Sequence, residues 1–460
     1  MTDRAPAAVR GARPVPHTLL AGIVAFGIPW LFGTAPAFLY DAAQYWGGAA
    51  AISAGEGPIE PGGLTTRGVF TAAVYLVPAF VSAALGPGSA VWTVLAWNSA
   101  LGAVVAVLLV PRLATLFSSS PSSRPPALRI WSSAILVSFV LSGFAKFPLI
   151  DLWSTALALA GVYGIIVGRR WWVLLLSGLS LGIAVNLRPS LIAPVLLSMI
   201  VLLFIHPRAV GIGAAAAVLS VIPQLALNVR AWGLWSPVPR ETIPLSAVQA
   251  AHATYAVRYD TVAFADQRPQ QWYCDPAYAS RLIDDPVPNN QLGVVASAFQ
   301  HLPDSLWFLT RKAAANLHWS FATPYENSPG DGSAIMALLV VAVSSFGVVA
   351  LVLAAIRSRS DRRRLMATLA LLGFWFGALG TLVFSTPETR FALPLVMVGL
   401  IGVLATVPER FTWSRPSRGS LVALACGLVL MVGLSFAGAE AQTHALPPGP
   451  VVDAADCASR

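Results

Sequence analysis

Charge is scarce in this 460-residue chain: Asp, Glu, Lys and Arg make up 11% of it, hydrophobic residues make up 56%, and mean hydropathy is +0.71. Soluble domains carry about a quarter charged residues, so an ordinary water-soluble globule is excluded. Lysine is nearly absent, with 27 of the 29 basic residues being arginine. No basic stripe interleaved with stacking aromatics accompanies the net charge of +9, so no nucleic acid is expected as a partner. Cysteine is also rare. Three residues cannot make a disulfide framework; Cys274 and Cys457 fall on one expected face and Cys426 in an expected span, which leaves one bridge or two free thiols as alternatives. His252, His301 and His318 lack metal-ligand spacing. Internal repeats and heptads are missing, and the only low-complexity tract is SSSPSSRPP at 118–126.

Apolar runs of 17 to 24 residues recur along the whole chain. A bilayer core about 30 Å thick needs about 20 apolar residues per helix, so the runs are expected to be spans. Lipid offers no partner to backbone amides, and the period-2 pattern of a membrane barrel does not occur, so the spans are expected to be helices. The fold class expected is an all-α polytopic membrane protein. Spans are read at 18–40, 90–110, 130–147, 152–168, 171–187, 190–206, 209–227, 333–356, 365–385, 391–407 and 419–438, about eleven in all. The first apolar segment has no clear cleavage site and is expected to remain as an anchor.

Residues 67–86 are apolar enough to make a twelfth span but contain Pro78 and precede a Gly-Pro-Gly break. Charge arbitrates. If they do not cross, short segments carry 17 basic residues on the cytoplasmic side and 5 outside; if they cross, the count becomes 7 against 15. The positive-inside rule selects the first arrangement, with 67–86 an interfacial helix at the external surface. The expected organisation is a cytoplasmic tail at 1–16, a transmembrane module at 17–227 with an external loop at 41–89, an external segment at 228–332, transmembrane helices at 333–438 and an external tail at 439–460. A multi-pass protein of the plasma membrane is expected, its N-terminus cytoplasmic and its C-terminus external.

Ionisable residues near a membrane carry more weight than in a soluble protein. On the expected external side, Asp41 stands in FLYDAAQYWGGAAAISAGEGP with Tyr45 four residues on; Arg67 and Gly68 open the interfacial helix. Lys146 and Asp151 flank the second external turn, in AKFPLIDLW, Asn186, Arg188 and Pro189 form a third, and Glu388, Arg390 and Pro394 lie in TPETRFALP. A carboxylate beside several arginines at a membrane surface suits group transfer from a lipid phosphate to a hydroxyl: the carboxylate takes the proton and arginine neutralises the phosphate.

The order of these elements resembles the GT-C superfamily of polyprenyl-phosphate-sugar-dependent glycosyltransferases, which includes protein mannosyltransferases and aminoarabinose transferases. The resemblance runs from about 18 to 407. It rests on Asp41 and Tyr45 leading to Arg67-Gly68, on the span VWTVLAWNSALGAVVAVLLVPRL, on LSGLSLGIAVNLRPS ending in Arg188-Pro189, and on the late Glu388 to Pro394 element. It implies a GT-C-like fold with external interfacial helices, a polyprenyl-phosphate sugar donor, and a lipid, glycan or protein acceptor. Asp41 is implied as catalytic base, and Tyr45, Arg67, Asp151, Arg188, Glu388 and Arg390 as substrate-binding residues. Ala42 stands where the family often has a second acidic residue, so a two-carboxylate site is not carried over.

Structural accounts compete at each position. Asp41 or Asp151 serves as a helix cap, Arg188 and Lys146 snorkel, Glu388 and Arg390 pair with each other, and Trp46 belongs to an interfacial belt. No cofactor is required; Asp41 with Asp151 offers a metal-dependent variant, but nothing in the sequence indicates one. Two other functions fit the same polytopic chain. A flippase of lipid-linked saccharides would bind at mid-membrane in related halves, and a non-catalytic cell-envelope protein would tolerate changes at Asp41 and Arg67.

Overall fold

The computed structural model describes residues 15–56, 68–86, 88–117, 125–240, 242–260, 270–281, 290–319, 325, 334–408, 418–446 and 457. Their regular structure is helical apart from one antiparallel hairpin, β1 (Val257–Asp260) and β2 (Gln270–Tyr273), with Val257 opposite Tyr273. Among the described residues seven helices are long and apolar enough to cross a membrane: Ala90–Phe117, Ala127–Ala145, Ile150–Val167, Pro207–Trp232, Ala334–Arg357, Arg362–Val383 and Gly419–Ala441. At 1.5 Å per residue the shortest, 18 residues, spans about 27 Å, close to the hydrocarbon thickness. All seven coincide with expected spans. The other four fall on shorter apolar helices, His17–Phe32, Trp171–Leu187, Pro189–Leu203 and Thr389–Ala405.

The two largest departures of a helix end from the sequence expectation have explanations in backbone chemistry. The first helical run stops at Phe32 instead of continuing to 40. Gly33 adopts φ +74° and Pro36 lacks an amide donor, so residues 33–39 leave the helix; a separate one, Tyr40–Ser53, then starts. Asp41 therefore sits in the first turn of its own helix. The expected span at 90–110 runs on to Phe117 through a π-helical stretch at Val105–Leu109. The stretch lies just before Pro111, whose missing N–H and ring clash are absorbed by the wider turn.

The two ends of the bundle differ in chemistry. At one end, arginines donate to carbonyls at helix C-termini: Arg129 to Val407 O (2.8 Å), Arg362 to Phe204 O (3.2 Å), Arg363 to Ile166 O (3.3 Å) and Arg364 to Phe117 O (2.8 Å). These carbonyls lack intrahelical partners and carry the negative end of the helix dipole, so cations settle there. At the other end the loops around 33–39, 146–149, 188–190 and 384–388 gather. Lys146 Nζ donates to Phe32 O, and Asn98 Nδ2 to Phe147 O (2.8 Å).

The Val69–Leu85 helix belongs to this second end. Tyr75, midway along it, donates to Leu149 O (2.7 Å) in the turn between two long helices, and the helix starts with Val69 N donating to Gln224 Oε1 (2.9 Å). Its beginning and its middle thus lie level with the loops. Gly68 enters it at φ +95°, where a Cβ would meet Pro239 Cγ at 2.7 Å and Gln224 Oε1 at 2.9 Å, so only glycine fits.

Close helix contact inside the bundle depends on small residues. A Cβ at Gly347 would run into the Gly399 backbone, and one at Gly402 into Gly347. Gly347→Val is expected to lower the melting temperature in detergent by about 2–5 °C through overpacking. Gly380→Ala, which meets nothing within 4 Å, should leave it unchanged in the same fluorescence-monitored melt.

Candidate active site

Asp41 projects from the first turn of the Tyr40–Ser53 helix, where the N-terminal dipole favours a carboxylate. Arg390 Nη2 donates to its Oδ2 at 2.5 Å, and Arg390 Nε donates to Glu388 Oε2, also at 2.5 Å. Arg258 Nη2 holds the other Glu388 oxygen, Oε1, at 2.7 Å. The result is a chain of alternating charge, Asp41–Arg390–Glu388–Arg258. Beside it, Arg188 pairs with Asp151 and donates to Ser190 Oγ at 3.0 Å. Phe391 presents its ring to both cations, 4.3 Å from Arg188 Cζ and 5.4 Å from Arg390 Cζ.

Local sequence explains the placement. Pro189 forces Arg188 into extended backbone (φ −142°, ψ 96°), which ends the Trp171–Leu187 helix and turns the guanidinium toward Asp151. Glu388 precedes the short Thr389–Ala392 turn of 3-10 helix, so Glu388 and Arg390 face the same way. Tyr45 follows Asp41 by one helical turn.

These residues share one cavity of about 680 Å³, whose walls include Asp41, Tyr45, Asp151, Arg188, Glu388 and Arg390. Every site residue expected from the sequence is thus in one place except Arg67, which lies outside the described residues; Gly68 beside it is placed. Exposure separates the three carboxylates. The Asp41 side chain is 22% exposed, against 10% for Glu388 and 4% for Asp151, so Asp41 is the one best able to reach a bound substrate.

Electrostatics keeps the network charged. Burial works against ionisation of Glu388, but Arg258 and Arg390 outweigh it and hold the carboxyl below its usual range, against repulsion from Asp41. Burial, with Arg390 as a cationic neighbour, pushes the Arg188 guanidinium down to about 10, which leaves it protonated at neutral pH. Burial and then Arg258 push His252 down to about 4, so its imidazole is neutral at pH 7. Among the described residues no group of three or more His, Cys, Asp and Glu side chains is arranged to hold a metal ion.

Three residues that the sequence did not point to as site residues take part as well, all from the 228–332 segment. Arg258 stands on β1 opposite Trp272 on β2, with Cζ 5.2 Å from the indole, and its amide donates to Pro387 O at 2.7 Å. Lys312, fully buried, ties the segment to the membrane helices by donating to Ala253 O (2.6 Å) and Ser385 O (2.7 Å). Burial pushes its ammonium well below the ordinary lysine range. His252 lines the cavity, its ring held against Trp272 at 4.6 Å.

The hairpin is held from behind. Leu446 N donates to Trp272 O (2.8 Å), Cys274 N donates to His444 O (3.1 Å), and Cys274 is joined to Cys457 in a disulfide, which resolves the alternatives left by the sequence. Cys457→Ser is expected to raise amide hydrogen exchange several-fold in Gln270–Tyr273 and leave the long helices unchanged, because the tail that backs β2 loses its tether. Unaltered exchange in β2 would mean that the backbone bonds suffice.

No protein-family model, no curated protein and no solved structure matches this chain. Its function is read from the site itself.

Proposed function

We infer that the chain is an integral membrane glycosyltransferase of the GT-C type, moving a sugar from a polyprenyl-phosphate carrier to an acceptor hydroxyl at the external face. One observation carries this reading: residues from four loops far apart in sequence line a single cavity in which one carboxylate, Asp41, is accessible and arginines surround it. Asp41 takes the acceptor hydroxyl proton as the oxygen attacks the anomeric carbon. The bond from that carbon to the phosphate oxygen breaks, and its electron pair leaves with the polyprenyl phosphate. A single displacement inverts the anomeric centre. Arg188, Arg390 and Arg258 neutralise the charge that gathers on the departing phosphate, exchanging part of their carboxylate pairing for it.

The lipid-facing surface supports a prenyl donor. Ile192 lines the cavity, and Ile192, Leu196, Ile200 and Leu203 are exposed at helical spacing, an apolar stripe leading away from the site. In this reading the seven long helices and the four shorter apolar ones make eleven spans, the short ones accommodated by local bilayer thinning. Val69–Leu85 lies along the surface, the arginine-capped end is cytoplasmic, and the site faces outward from the plasma membrane.

The test is reconstitution of the full chain into liposomes containing a polyprenyl-phosphate sugar labelled in the sugar, with membrane extract as acceptor. Release of unglycosylated polyprenyl phosphate together with a labelled product, without transbilayer movement of intact donor, supports transfer. Movement of intact donor with no product overturns it in favour of a flippase.

A further inference from the structure

One stretch of the cavity wall differs in character from the ion network around Asp41. Ser246, Gln249 and His252 recur at a spacing of three through the Thr242–Ala251 helix and the turn that follows it, and all three line the cavity. Gln291, the first residue of the Gln291–Gln300 helix, joins them and donates to Gln249 Oε1 at 3.4 Å. All four are uncharged at neutral pH, each with hydrogen-bonding groups. Pro239 and Val248 line the same stretch, and among the described residues Arg258 is its charged side chain, with Nη2 held by Glu388.

His252 is 93% buried, and its imidazole makes no hydrogen bond to any described residue; Nδ1 is enclosed with no partner among them. Trp272 fixes the ring edge-on, at 65° between planes. The enclosed Nδ1 is out of a ligand's reach, so on this fixed ring Nε2, which is not enclosed, is the atom left to meet a ligand in the cavity.

Neutral donors and acceptors set side by side suit hydroxyl groups, each of which donates once and accepts as well. An amide can bridge neighbouring hydroxyls, and a neutral imidazole can accept from a third. Charged groups of a peptide would find no counter-charge in the row formed by Ser246, Gln249, His252 and Gln291 itself. A simple lipid alcohol would leave most of the row unpaired. We propose that this wall is the acceptor subsite and that the acceptor is a neutral carbohydrate, its hydroxyls hydrogen-bonded by Gln249, His252 and Gln291. The assignment rests on the glycosyltransferase reading for the word acceptor, but its test does not use turnover.

The test is saturation-transfer difference NMR on the full chain in nanodiscs, without donor, against pools of neutral hexose and pentose di- to tetrasaccharides. At least one oligosaccharide is expected to receive saturation. Gln249→Ala and His252→Ala should each weaken it about 5- to 10-fold, and polyprenyl monophosphate binding should stay within about 2-fold. No saturation in any pool, or equal sugar binding by both variants and wild type, overturns the proposal. Sugar binding in a protein that never transfers sugar would leave this subsite standing and remove the transferase reading. Donor-dependent transfer to a peptide or lipid alcohol, with no oligosaccharide bound, would do the reverse.

Discussion

Arg390→Ala is expected to be the most damaging single substitution at the site, lowering stability by about 3–5 kcal/mol as well as abolishing transfer. Arg390 is 5% exposed and holds both Asp41 and Glu388, so its removal leaves Asp41 without that partner and Glu388 with Arg258 alone. Arg390→Lys should recover little, because an ammonium cannot reproduce the planar fork that meets Asp41 through Nη2 and Glu388 through Nε. Arg390→Met combined with Glu388→Gln should recover part of the melting temperature and none of the activity, since one charge of each sign is removed while Asp41 and Arg258 each lose a partner. The exposed pair Arg281–Asp304, with side chains 61% and 50% exposed, makes the control: Arg281→Ala should shift the midpoint hardly at all. A melt of Arg390→Ala indistinguishable from wild type would show that the ion network does not hold the loops together.

Asp41→Asn is expected to lower the turnover number by about 10²- to 10⁴-fold, with little change in donor affinity. The amide keeps an oxygen for Arg390 and so preserves the fold, but cannot take the acceptor proton. Asp151→Asn should behave differently. Asp151 is almost fully covered and paired with Arg188, so its loss acts on the position of that cation and should appear mainly as a raised KM for the donor. Steady-state kinetics on the two variants separates the roles: equal losses in kcat would mean that Asp41 is not the sole base.

Much of this site was legible before any coordinates because a membrane protein concentrates its chemistry. With so few charges, the sidedness of the spans placed Asp41, Asp151, Arg188, Glu388 and Arg390 at one end, and all of them line the cavity. Proline made the turns readable as well, as Arg188-Pro189 shows. Their pairings were less legible. Glu388 and Arg390 do pair, but each also holds a third group, Arg258 or Asp41, that lies more than 100 residues away in sequence. Arg258 sits on a four-residue strand whose position is fixed by tertiary contacts with Pro387 and Trp272, and nothing local in V-R-Y-D signals that. Lys312 looks like any polar residue of an amphipathic helix until its carbonyl partners are in place. The end of the first span is not legible in hydrophobicity, which continues through Ala35, Ala37 and Phe38 although the helix has already ended before Gly33.

The most direct test of the central claim is transfer by the purified full chain of labelled sugar from a panel of polyprenyl-phosphate sugars to membrane extract, run beside Asp41→Asn at equal folded yield. The account predicts a donor in the panel from which wild type builds a labelled product with inverted anomeric configuration and the variant builds almost none. Folded wild-type protein that transfers nothing from any donor, or an Asp41→Asn protein as active as wild type, would contradict it.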